Sequence, residues 1–137
     1  MKAVIQRVSK ASVTVDNKKV ANILHGMLVL LGIEESDTQE DINWLSNKII
    51  NLRIFDDQNG VMNNSLLDSQ GDVIVVSQFT LHASTKKGNR PSYMRAAKPS
   101  TAIPLYNKLG KTLESKLEKK IQTGKFGSHM ELEIHND

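Results

Sequence analysis

The chain contains no cysteine, which removes disulfides, thiolate nucleophiles and cysteine-ligated zinc together and suits a reducing compartment, the cytosol. Aromatic residues make up only 4% of it, too few for a platform that stacks several bases. Long apolar runs are also missing. The longest, Met27 to Leu31, is far short of a membrane span, and Gln6 and Arg7 interrupt the N-terminal stretch where an export signal would need an unbroken apolar core. The expectation is a protein with no membrane association, and the Asn63-Asn64-Ser65 sequon reads as a polar turn.

What is present fits one domain, residues 1–137, long enough to bury about two thirds of its unfolded surface. The net charge is only +3, but it is unevenly spread. Glu34 to Asp41 is acidic, whereas His82 to Ser100 carries Lys86, Lys87, Arg90, Arg95 and Lys98 with no carboxylate. Charge alone leaves two readings open: a surface that faces phosphates, or a solvated loop.

Lys2–Val8, Ala11–Val15 and Val20–Ile23 are rich in β-branched residues, with turn chemistry at Asp16 to Lys18, and predict a β-meander. Met27–Ile33 reads as a strand buried on both faces. Ser36 with Gln39 fits a capping box ahead of Ile42, Leu45, Ile49 and Leu52 at helical spacing. Val73–Leu81 predicts a strand that turns polar at Ser77, Gln78 and Thr80. Ser100 is placed to cap a second helix with Leu105, Leu109, Leu113 and Leu117 along one side and Pro104 in its first turn. Met130 to Ile134 alternates as a half-buried strand. With no regular βαβ alternation, the prediction is α+β: a largely antiparallel sheet with two main helices.

Familiar chemical motifs mostly fail. Leu109 to Thr112 ends like a phosphate-binding P-loop, but the required upstream glycine falls on Leu105. A calcium loop at Asp56 to Gly60 would place Phe55 first and Leu66 last, where carboxylates are needed. The histidines, His25, His82, His129 and His135, show no paired helical spacing and read as solvated rather than as metal ligands. The polar exit of Val73–Leu81 is either a strand leaving the core or a rigid platform of donors and acceptors for a polar substrate. Thr80 has no evident activating base beside it.

Taken in order, "QRVSKASVTV", "GMLVLLGI", "LRIFDDQNGVMNNSLLD", "SQFTL", "KKGNRPSY" and "QTGKFGSHMELEIHND" resemble the D-aminoacyl-tRNA deacylase (D-tyrosyl-tRNA deacylase) family along the whole chain. The resemblance implies a cytosolic homodimer with a barrel-like core. It also implies hydrolysis, without metal or organic cofactor, of the ester joining a D-amino acid, or mischarged glycine, to the terminal adenosine of tRNA. By the same resemblance Ser77, Gln78, Phe79 and Thr80 line the reaction site, with the ribose 2′-OH of the RNA assisting the attacking water. Thr123, Gly124, Phe126, Gly127 and Met130 border the adenosine pocket, and Arg7 steadies the loop that reads chirality. Lys86, Lys87, Arg90 and Arg95 would then meet the RNA backbone. In that family a Gly-Pro pair after the last strand enters the partner subunit's pocket and rejects L-amino acids; the sequence ends at Asp137, before such a pair. Two rival readings are Thr80 as a covalent nucleophile and a non-catalytic module that binds tRNA acceptor stems.

Overall fold

In the computed structural model, which describes residues 1–137, the first two predicted strands are one. β1 runs from Lys2 to Val15. No glycine or proline interrupts it, and a register shift between Val8 and Lys10 against its C-terminal partner lets it bend instead of ending. The turn that follows has positive φ at Asp16 (49°) and Asn17 (60°), the geometry whose twist matches a hairpin. β2 (Lys18–Ile23) then pairs with the second half of β1, and β3 (Gly26–Gly32) pairs with the first half, both antiparallel. β8 (Glu131–Asn136) covers the other edge of β1 from Val8 to Thr14.

Three of the five pairings in this sheet are antiparallel, as expected, and the other two are parallel. β3 pairs in parallel with β6 (Asp72–Ser77), and β6 in parallel with β7 (Gln122–Thr123), giving the order β2-β1-β3-β6-β7. Parallel neighbours need long crossovers. The first contains α1 (Gln39–Asn51), the hairpin β4 (Phe55–Asp56) and β5 (Met62–Asn64), and the short α2 (Leu66–Ser69). The second contains α3 (Pro99–Leu117). At the far ends of the path, Gln122 Nε2 donates to the Asn22 carbonyl at 2.6 Å, so β7 and β2 nearly close the sheet into a barrel.

Burial on both faces of β3 and β6 follows from their position. Met27, Val29, Leu31, Val73 and Val75 face a helix-side core with Ile42, Ile49, Leu109 and Leu113. Leu28, Ile74 and Val76 point into the barrel against Val8, Val13 and Ile23. Both predicted helices form, with different caps. Thr38, not Ser36, caps α1, and Asp41 completes the reciprocal box. Ser100 lies inside α3, whose N-cap is Lys98 with Pro99 next. Its end is held from afar: Glu35 accepts from the Lys98 amide (2.7 Å) and the Thr101 hydroxyl (2.8 Å). Pro104 falls beyond the first turn and denies the exposed Ser100 its helical donor.

Candidate active site

β6 does not continue to Leu81. Its last ladder contact is the Gln78 amide on the Leu31 carbonyl (2.7 Å), after which Phe79–His82 wind into a 3-10 turn closed by Leu81 N to Gln78 O (3.2 Å) and Ala83 N to Thr80 O (3.1 Å). The turn fits because Gly32 lies beneath it. A Cβ there would meet the His82 ring and Leu81 Cβ at 3.0 Å and the Gln78 carbonyl at 3.1 Å, tighter than ordinary contact. Winding the chain this way leaves the amides of Phe79 and Thr80 with no acceptor in the protein, as expected of the first donors of a helical turn. Gln78 Nε2 donates to Thr80 Oγ1. That polarity is opposite to what a nucleophile needs, since an activating base accepts the hydroxyl proton.

The facing wall comes from the chain after β7. The Val75 carbonyl accepts from both the Gly124 amide (3.1 Å) and the Tyr106 hydroxyl (2.7 Å), which fixes the start of the wall on the core strand. A Cβ on Gly124 would fall 2.5 Å from the Met130 sulfur, so any larger residue here would push the Met130 side chain aside. Tyr106 meets Phe126 edge to face, with centroids 5.8 Å apart, and its burial pushes the phenol up to about 12.

Between turn and wall lies a cleft of about 290 Å³, at the small end of ligand sites. Ser77, Gln78 and Phe79 line one side and Phe126, Gly127 and Met130 the other, over an apolar base that includes Leu31, Ile33 and Ala102. Six of the residues singled out in the sequence therefore converge. Thr80 lies behind Gln78 and is not among the lining residues. Nor is Arg7, whose guanidinium binds the Ile54 carbonyl (2.8 Å), Asp56 (2.8 Å) and the backbone of Asp137 (3.2 Å). Ser128 and His129 do line the cleft; alternation carried no signal for them, because they belong to a turn whose path is set by the wall.

His82 also departs from the surface reading: it is 2% exposed, packed under the turn, with neither ring nitrogen hydrogen-bonded. His25, His129 and His135 are exposed, and no group of three acidic or histidine side chains is placed to hold a metal. No helix is long and apolar enough to cross a membrane.

The basic segment forms one rim. Ser84 and Ser92 exchange backbone hydrogen bonds (2.8 and 2.9 Å), and the Tyr93 ring meets Phe79 at 5.1 Å. Lys86, Lys87 and Arg90 are exposed. Arg95 instead binds Glu34 at 3.0 Å, and its hydrogen bond holds that carboxyl below the usual glutamate range. The acidic stretch thus anchors the basic one.

The fold and cleft define the class: an α+β domain with a nearly closed, barrel-like sheet and a small cleft at the end of a core strand. The same architecture occurs in a solved structure described as a probable eukaryotic D-amino acid tRNA deacylase, with a TM-score of 0.85 at 15% identity over 98% of this chain and 93% of that one. A second, the c-Myc DNA unwinding element binding protein, superposes with a TM-score of 0.94 at 41% identity over 100% of this chain and 93% of that one. The sequence profile described as D-Tyr-tRNA(Tyr) deacylase matches residues 4–137, and the chain belongs to that family. Its relatives include proteins named D-aminoacyl-tRNA deacylase in Flavobacterium psychrophilum (64% identical) and Bacteroides fragilis strain YCH46 (59%), each match covering 100% of this chain and 91% of the relative.

Proposed function

We propose that the chain is a D-aminoacyl-tRNA deacylase that frees D-amino acids, and mischarged glycine, from the 3′-terminal adenosine of tRNA in the cytosol. The observation that carries this reading is the cleft itself, in which the Ser77–Phe79 strand end faces Phe126, Gly127 and Met130. Family membership supplies the substrate class.

In this mechanism the adenosine lies against Phe126 and Met130, which brings the ester carbonyl to the 3-10 turn. Water adds to the carbonyl carbon and the ribose 2′-OH assists its deprotonation. The oxyanion that forms is met by the unpaired amide of Phe79, which lines the cleft, with that of Thr80 next along the turn; the carbon–oxygen ester bond then breaks and the 3′-oxygen takes a proton. Fixed donors aimed at developing charge suffice without an ionisable side chain, and neither metal nor organic cofactor takes part. Lys86, Lys87 and Arg90 meet RNA phosphates, with Arg95 positioned through Glu34. The enzyme works as a homodimer in which a Gly-Pro element, of the kind the family carries after its last strand and residues 1–137 do not contain, closes the partner's cleft and rejects L-amino acids. Arg7 steadies the backbone leading to that element.

The test is release of tyrosine from D-Tyr-tRNA and L-Tyr-tRNA side by side, by residues 1–137 and by a version extended through a Gly-Pro tail, with Thr80→Ala in parallel. Cleavage confined to the D ester in the extended protein, largely retained by its Thr80→Ala variant, is the expected result, with activity or discrimination lost in the shorter one. Loss of turnover in the variant would instead favour Thr80 as nucleophile. Similarity to the c-Myc DNA unwinding element binding protein gives a second reading specific support, a nucleic-acid-binding module without ester cleavage. Binding of acceptor stems with no release of either amino acid would establish it.

A further inference from the structure

Behind the Tyr106–Phe126 pair lies a second cleft, of about 260 Å³, lined by Asn107, Gly110, Lys111, Glu114 and Thr123 among others. Glu114 looks unsuited to an anion site, but its charge is already taken: it accepts from Lys120 Nζ (3.0 Å) and the Ile121 amide (3.3 Å), and the lysine bond holds its carboxyl below the usual range. Lys108, Lys111 and Lys125 are exposed and make no ion pair. Lys111 lines the cleft, and Lys108 and Lys125 follow its lining residues Asn107 and Thr123 closely in the chain, so the unpaired charges nearest the cleft are positive, with the Asn107 amide and Thr123 hydroxyl as neutral donors.

Gly110 adds an independent argument. Glycine inside a helix costs about 1 kcal/mol relative to alanine. Nothing crowds this one: a Cβ would meet only Ile121 Cδ1, at an ordinary 3.6 Å. What its absence leaves is depth in the groove.

We propose that the groove between α3 and β7 binds the phosphodiester backbone of RNA, and that it does so for the same strand whose 3′ end enters the first cleft. The inference rests on the deacylase reading for the identity of the RNA. The two clefts are separated only by the wall: Phe126 lines the first, Tyr106 the second, and the rings touch. A strand leaving the first cleft past Phe126 meets Lys111 and its neighbours next.

The experiment measures binding of an uncharged acceptor-stem hairpin with a single-stranded 3′ end across a salt series, for the wild-type protein, Lys108→Ala/Lys111→Ala/Lys125→Ala and Gly110→Leu, beside steady-state deacylation of D-Tyr-tRNA. Each lost phosphate contact lowers the log–log salt slope by about 0.7 to 0.9, so the triple variant should lose roughly 2 units of slope and show a raised KM at unchanged kcat. Gly110→Leu, which fills the groove without removing charge, should weaken binding at every salt concentration. Unchanged slope and KM in the triple variant, or no RNA binding by the wild-type protein, overturns the proposal. If the slope falls while no form of the protein cleaves the ester, the groove stands as an RNA site and the deacylase reading falls.

Discussion

The two sides of the first cleft are built to different standards. The strand-end side is locked: β6 lies between β3 and β7, the Gln78 amide closes the ladder, and the turn rests on Gly32 with His82 buried beneath it. The wall hangs between the two-residue β7 and the start of β8, held in between by the paired hydrogen bonds at Val75 and one aromatic contact. A rigid side suits fixed donors aimed at developing charge, whereas a lightly held side suits admission and release of a ligand. The contrast predicts that damage to the strand-end side lowers kcat and damage to the wall raises KM.

Gly32→Val should have the largest effect, because the added atoms collide with backbone and a buried ring. Overpacking of this kind costs about 1–3 kcal/mol, and kcat for D-Tyr-tRNA should fall about a hundredfold through displaced donors, as single-turnover rates and thermal melting would show. Gly124→Val pushes against the flexible Met130 instead; KM should rise about tenfold, equivalent to about 1.4 kcal/mol, with kcat held. A lower kcat at unchanged KM would erase the distinction between the two sides.

Tyr106→Phe tests the hydrogen bond beneath the wall. Because the Val75 carbonyl keeps its Gly124 donor, the cost in denaturant unfolding should be only about 1 kcal/mol. The sign of its pH dependence is fixed: folding raises the phenol from 10 to about 12, so its contribution is complete below pH 10 and is lost as pH rises toward about 12. The variant should lack that alkaline loss. The smallest effect should come from Glu35, whose carboxyl is lowered from 4.5 first by the Lys98 amide and then by the Thr101 hydroxyl. Its tether is complete above pH 4.5 and weakens as pH falls through the depressed value, so amide exchange at Lys98 and Thr101 should quicken in acid and already be quick at neutral pH in Glu35→Gln.

Regular periodicity made the framework legible. The apolar run of β3 and the leucines of α3 predicted their elements, and Leu109 and Leu113 are fully buried. Pairing direction was not legible, because parallel contact between β3 and β6 depends on a crossover from Gly32 to Asp72 that local pattern does not reveal. Long-range caps were equally hidden: Glu35 holds an α3 end that lies 63 residues away. In the site, a polar exit from an apolar strand is ambiguous by itself, and the family resemblance named the residues of both sides. The turn at Phe79 escaped because it is dictated by the space above Gly32, a property of neither segment alone.

The amide link between Gln122 and Asn22 has a mechanical consequence. It joins the edge strands through a side chain, so the seam between β2 and β7 can part without breaking any backbone ladder between them, and the segment that walls the cleft begins two residues beyond Gln122. A substitution at this junction would touch no residue of the cleft, yet would alter how firmly the wall beside it is held.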